Sequence, residues 1–207
     1  VKTLFEAILF VIILIYLFLG NFRATIIPVL AIPVSVIGTF AGLYITGFSI
    51  NLLTLFGMIL AIGLVVDDAI IVIENVERVL RTKKISVKDA TIEAMKELTT
   101  PLVAIILVLS AVFIPAALTG GFSGVMYKQF AITIVIAVLI SGLVALTLTP
   151  ALCAIFLKEH ESEPIWPIRK FNAFFDWLTT VFISITRQTI RLWFFSLAIF
   201  GILIYAT

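Results

Sequence analysis

Charge is scarce in this 207-residue chain: only 13% of residues are Asp, Glu, Lys or Arg. A water-soluble domain carries about 25%. Against that scarcity, 62% of residues are hydrophobic and the mean hydropathy is +1.26. A soluble fold of this size would expose large apolar patches and aggregate, so lipid is the expected solvent for most of the chain. There is one cysteine, Cys153, which excludes an internal disulfide. It lies in an apolar run and reads as a small packing residue. There is one histidine, His160, set in a charged loop and read as solvated. With no His/Cys cluster, no transition-metal site is expected, and no cofactor is expected either. A Walker-type phosphate loop is missing, so ATP is not the evident energy source. No block of Lys and Arg interleaved with aromatics offers a nucleic-acid groove. The chain has no initiating Met and no signal-peptide pattern, and it stops inside an apolar run at Thr207; it reads as a fragment of a longer protein.

What is present is a series of apolar runs. A bilayer core about 30 Å thick needs roughly 20 residues of helix to cross it. Six runs approach that length: Leu4 to Leu19, Thr25 to Thr46, Leu52 to Ile73, Leu102 to Leu118, Phe130 to Leu157, and Leu192 to the end. They are continuous rather than alternating, which argues against barrel strands. The expected fold is therefore an all-α polytopic membrane protein. Residues 1–157 form a five-helix bundle with a loop near 74–99. A loop with an amphipathic helix follows over 158–190, and residues 191–207 begin a sixth span.

Lys and Arg placement sets the orientation. One side receives Arg23, then Arg78, Arg81, Lys83, Lys84, Lys88 and Lys96, then Lys158, Arg169, Lys170, Arg187 and Arg191. The other receives Lys2 and Lys128. The first side is the expected cytoplasmic one, so loops 20–25, 74–99 and 158–190 are assigned to the cytoplasm.

Between Ile165 and Gln188, apolar residues recur every three or four positions, at Ile168, Phe171, Phe175, Leu178, Phe182 and Ile185. The pattern fits a helix lying in the membrane surface, or equally one packed on its own protein. Pro164 and Pro167 mark its start. Residues 87–98 read as a short solvated helix with Ser86 as its cap. Pro101 is expected at a helix start; Pro28, Pro33, Pro115 and Pro150 fall inside spans and are candidate kinks.

Glu6 lies near the start of the first span, within reach of the interface. Beyond it, the only charges deep in a span are Asp67 and Asp68. A membrane-centred Asp costs roughly 2.5–3.5 kcal/mol, so a neighbouring pair demands partners, water or protonation. Burial and like charge raise a carboxyl pKa and a nearby cation lowers it. Carboxylates under such opposing pushes can exchange a proton at ordinary pH. Gly57 and Gly63 share the helix and allow a neighbour to approach closely. The alternative is that the aspartates only glue helices together. Glu74, Asn75, Glu77 and Arg78 read as a solvated helix end. No Lys, Arg or His falls within a span, so any cation for the pair must come from outside this chain.

The run Gly63-Leu-Val-Val-Asp-Asp-Ala-Ile-Ile-Val-Ile-Glu-Asn-Val-Glu-Arg78 resembles the fourth transmembrane helix of resistance–nodulation–division exporters. Asn21-Phe-Arg-Ala-Thr, Gly47-Phe-Ser-Ile-Asn51, Leu109-Ser-Ala-Val-Phe-Ile-Pro115 and Thr147-Leu-Thr-Pro-Ala-Leu-Cys153 are similar to further stretches of that family, in the same order. The double aspartate resembles the hydrophobe/amphiphile, multidrug branch. The resemblance implies that the runs are the second to the sixth span and the start of the seventh, and that 166–188 is the family's cytoplasmic surface helix. It also implies that Asp67 and Asp68 are proton-relay carboxylates whose partners, a lysine among them, lie on later helices. It further implies proton-driven efflux of amphiphilic compounds across the inner membrane. The assembly would be a homotrimer joined to a periplasmic adaptor and an outer-membrane channel, with the drug-binding porter domains outside this chain. An RND-type relative moving metal, lipid or secreted protein with the same relay is the alternative. An intramembrane aspartyl protease needs carboxylates facing each other across one water, which neighbours on one helix do not provide, so no enzyme is expected.

The orientation is testable in the full-length protein carrying Cys153→Ala. Cysteine placed at Ser49 should react with a membrane-impermeant maleimide in intact cells. Cysteine placed at Lys84 should react only after the membrane is opened.

Overall fold

The computed structural model describes residues 2–158 and 166–191. Within them it is all-α, with seven helices: α1 Lys2–Leu19, α2 Phe22–Ile45, α3 Leu52–Lys83, α4 Val87–Ala117, α5 Gly121–Leu146, α6 Leu148–Phe156 and α7 Trp166–Arg191. The chain falls into two compact units, Val1–Ser162 and Glu163–Thr207. The sixth expected span, at 192–207, and His160 and Pro164 lie outside the described residues. Four helical stretches are long and apolar enough to cross a membrane: Phe22–Ile45, Leu52–Lys83, Val87–Ala117 and Gly124–Phe156. The first run appears as a shorter apolar helix, Glu6–Leu19. The protein is a multi-pass membrane protein.

Local chemistry explains where the helices start. The Asn21 side chain accepts from the Arg23 N–H at 3.0 Å and opens α2. Asn51 and Thr54 form a reciprocal capping box at the start of α3: the Asn51 side chain accepts from the Thr54 N–H at 3.1 Å, and the Asn51 N–H donates to Thr54 Oγ1 at 2.8 Å. Ser86 caps α4, as its position suggests, by accepting from the Asp89 N–H at 3.2 Å. Such caps satisfy amide groups that the first helical turn leaves unpaired.

The stretch near 74–99 is not a loop. α3 runs on to Lys83 and α4 begins at Val87, leaving a turn of only 84–86. At 32 and 31 residues, each helix is about 45–48 Å long and outreaches a 30 Å hydrocarbon core. Their polar ends form a helical hairpin in which charges pair across the two helices. Arg78 pairs with Glu97, Lys83 donates to Glu93 at 2.8 Å, and the Asn75 amide donates to the Ala94 carbonyl at 3.3 Å. The turn closes on Lys84 in the left-handed region, φ 49°. The expected short helix at 87–98 is thus the first third of one continuous helix. Pro101 consequently lies inside α4, not at a helix start. Its missing N–H removes the bond to residue 97, next to a side chain already committed to the hairpin.

Helix α2 passes through Pro28 and Pro33 without a break, and α4 ends two residues after Pro115. At Pro150 the backbone does break: α5 stops at Leu146 and α6 starts at Leu148, with Thr147 at φ −123°, ψ −68°. Pro150 has no N–H to offer the Leu146 carbonyl, and the helix re-forms one residue later. Cys153 is fully buried beyond this break, among Ala24, Val72, Val76 and Leu102, as expected of a packing residue.

Helix α5 is the centre of the first unit. Ala131, Thr133, Ile134, Ala137, Val138, Ser141 and Ala145 are all buried along it. Its neighbours come close because glycine stands at the contacts. A Cβ on Gly38 of α2 would fall 2.7 Å from the Ile140 side chain, and one on Gly42 would strike Ile136. Gly142 of α5 faces Ile106 of α4 at a similarly short approach. Small residues permit such contact where lipid supplies no hydrophobic drive between helices. On the outside, Phe10, Ile37, Val108 and Val112 are exposed, an arrangement that is stable only in an apolar solvent.

Gly38→Leu should therefore destabilise the protein by about 1–3 kcal/mol through overpacking. Unfolding in detergent measures it, and Ile140→Ala in the same chain should return part of the loss as a positive coupling.

Candidate functional site

Successive residues on a helix are turned by about 100°, and at 67–68 that rotation separates two environments. Asp68 faces inward. It is 7% exposed, and its Oδ2 accepts a hydrogen bond from Ser141 Oγ at 2.7 Å, from α5 to α3. Next to it, Ala69 joins Ala31 and Val144 in a small apolar cluster. The bond partly satisfies a carboxylate that burial would otherwise leave without a donor. Asp67 faces the other way, into a groove of about 540 Å³ between α1 and α3. Leu14, Ile15 and Phe18 of α1 line one wall. Gly63, Asp67, Ile70 and Glu74 of α3, spaced four, three and four apart, line the other. The groove thus carries two carboxylates, two helical turns apart, on an otherwise apolar surface.

The two glycines singled out beside the aspartates are placed differently. Gly57 lies against α5, where a Cβ would sit 3.2 Å from the Thr133 side chain and 3.3 Å from the Phe130 carbonyl oxygen. At Gly63 a Cβ would meet nothing within 4 Å; this glycine keeps the groove wall low beside Asp67. No Lys, Arg or His lines the groove among the described residues. Nor do three metal-ligating side chains cluster among them.

Helices α3 and α5 are joined at a second polar point. The Asn51 amide donates to Gln129 Oε1 at 2.6 Å, at the end of α3 away from its hairpin with α4. From there to Asp68, the face of α5 toward α3 offers Gln129, Thr133, Ala137 and Ser141, one residue per helical turn. Neither Ser141 nor Gln129 stands out in the sequence. A lone Ser in an apolar run is ordinary, and its partner lies 73 residues away. The available signal is the four-residue spacing of small and polar residues along α5.

The site is thus an acidic pair on one helix, with one member held by a neighbouring helix and the other opening on a groove. The family model described as AcrB/AcrD/AcrF matches residues 1–207. The chain belongs to the AcrB/AcrD/AcrF family. It is 54% identical over 187 residues to the multidrug export protein AcrF of Escherichia coli, an alignment covering 88% of this chain and 17% of that protein. It is 51% identical over 193 residues to the multidrug resistance protein MdtF of the same organism, covering 92% and 19%. It is 52% identical over 181 residues to the toluene efflux pump membrane transporter TtgB of Pseudomonas putida, covering 85% and 17%. The chain spans less than a fifth of the length of these AcrB/AcrD/AcrF-type relatives.

Ser141→Ala removes the donor to a buried carboxylate and should cost about 1–3 kcal/mol, read as lost unfolding stability. Asp68→Asn should relieve that loss in the double variant, because an amide carries no buried charge. Equal and additive losses would show that the bond carries no energy.

Proposed function

We propose that this chain is part of the proton-coupling membrane domain of an exporter in the bacterial inner membrane. The exporter would drive hydrophobic or amphiphilic compounds outward at the expense of proton entry. The observation that carries this reading is the placement of Asp67 and Asp68: adjacent in sequence, deep in α3, and divided between a hydrogen-bonded interior and an open groove. Charge at that depth is costly, so gaining or losing one proton changes which neighbours α3 prefers. A protonated Asp67 lets the groove close on the apolar surface beside Gly63 and Ile70, away from Glu74. An ionised Asp67 calls for a cation or water. Asp68, tied to Ser141, links the same event to α5.

The names of the relatives, which speak of multidrug export and of toluene efflux, support amphiphilic cargo over metal or secreted protein. The substrate pocket would lie in porter domains outside this chain. Assembly would be as a homotrimer with a periplasmic adaptor and an outer-membrane channel. The basic side of the bundle, with the hairpin of α3 and α4, faces the cytoplasm in this reading, and α7 lies on the cytoplasmic membrane surface.

The test is drug and dye accumulation in cells carrying the full-length protein with Asp67→Asn or Asp68→Asn. At normal expression and assembly, either change should abolish export as fully as a proton uncoupler does. Normal export by both variants would make the aspartates structural and end the proposal. Loss of a gradient-dependent activity other than drug export would keep the engine and remove the cargo assignment.

A further inference from the structure

Helix α7 divides its residues by chemistry. Stepping 100° per residue, Phe171, Phe174, Phe175, Leu178, Phe182 and Ile185 fall within one arc of about 100°. The rings along it touch in series: Phe171 and Phe175 at 4.6 Å between centroids, and Phe174 and Phe175 at 5.8 Å. Phe182 and Ile185 are 67% and 57% exposed. The opposite arc holds Arg169, Arg187 and Arg191, with Lys170 on the flank, all exposed, against a single acidic residue, Asp176. The basic residues sit in pairs at the two ends of the helix.

The ends have further detail. Lys170 Nζ lies 4.4 Å over the Trp166 ring, an aromatic–cation pair suited to the level of lipid headgroups. Near the other end, Arg187 borders a cleft of about 280 Å³ that is also lined, among the described residues, by Phe182, Ile183, Thr186 and Ile190. A guanidinium at the edge of an apolar recess fits a phosphodiester with its acyl chain below. Guanidinium binds such oxygens in a bidentate way.

We infer that α7 is a docking surface for anionic phospholipid, held by Arg169, Lys170, Arg187 and Arg191 over the embedded aromatic face. This rests on the reading of α7 as a helix of the cytoplasmic membrane surface. Aromatic burial alone would hold the helix to any bilayer. The excess of basic over acidic residues selects membranes with negative headgroups. Each basic residue near such a surface is worth roughly fivefold in partitioning, and the gain falls away with salt.

The test uses the full-length protein with Cys153→Ala and a nitroxide on Leu178→Cys. It is reconstituted in phosphatidylcholine vesicles with or without one quarter phosphatidylglycerol. Immersion of the label is read from its accessibility to oxygen against a water-soluble nickel chelate. With phosphatidylglycerol at low salt the label should be immersed. The immersed-to-free ratio should fall at least about fivefold in phosphatidylcholine alone, at high salt, and in the variant R169Q/K170Q/R187Q/R191Q. Equal immersion in neutral vesicles and at high salt would overturn the anionic selection while leaving the surface helix in place. A label that is never immersed, whatever the lipid, would overturn both and make α7 a helix packed on its own protein.

Discussion

Everything in the first unit is arranged around the cost of ionisable oxygen in hydrocarbon. Two neighbouring carboxylates at mid-membrane would oppose insertion by several kcal/mol. The fold answers with two different solutions rather than one. Asp68 is turned toward α5 and given a donor, Ser141. Asp67 is turned toward a groove lined by α1 and left with open space. A pair treated identically would be either glue or a liability. A pair treated differently has one member anchored and one available, the asymmetry on which the proposed proton coupling rests.

That division depends on α5. Glycine on one side of each contact, Gly38 of α2, Gly57 of α3 and its own Gly142, lets α2, α3 and α4 approach it closely. Close approach brings Ser141 within hydrogen-bond reach of Asp68. The same helix is tied to the start of α3 by the Gln129–Asn51 bond. Two polar ties and one glycine contact thus join α3 to α5 along the span, whereas the α1 side of α3 carries the groove. A change in charge at Asp67 is therefore met first by the α1 wall, where there is room.

Outside the hydrocarbon the rules reverse, and charge becomes the means of assembly. The ends of α3 and α4 exchange Arg78 with Glu97 and Lys83 with Glu93. These are exposed pairs of small individual worth, but they knit two long helices into one hairpin. Helix α7 uses charge in another way, collecting arginines on one side and phenylalanine rings on the other.

Much of this is legible in the residues themselves. Composition and run length determine an all-α membrane fold, because only a helix of about 20 apolar residues satisfies its own backbone in lipid. The rarity of charge in the spans singles out Asp67 and Asp68, and Ser86 announces itself as a cap. The stretch 74–99 carries exposed charges, as a solvated connection should, but its residue pattern does not show that α3 and α4 continue through it to a turn of only three residues. Pro101 reads as a helix start because proline is tolerated there, whereas it lies inside one continuous helix. Tertiary structure alone decided that Asp68 is held and Asp67 is open, that Gly57 makes a contact and Gly63 does not, and that Ser141 is the partner. Those facts concern distances between residues far apart in the chain. A one-dimensional pattern records a residue's type and phase on its own helix, but not which helix stands opposite.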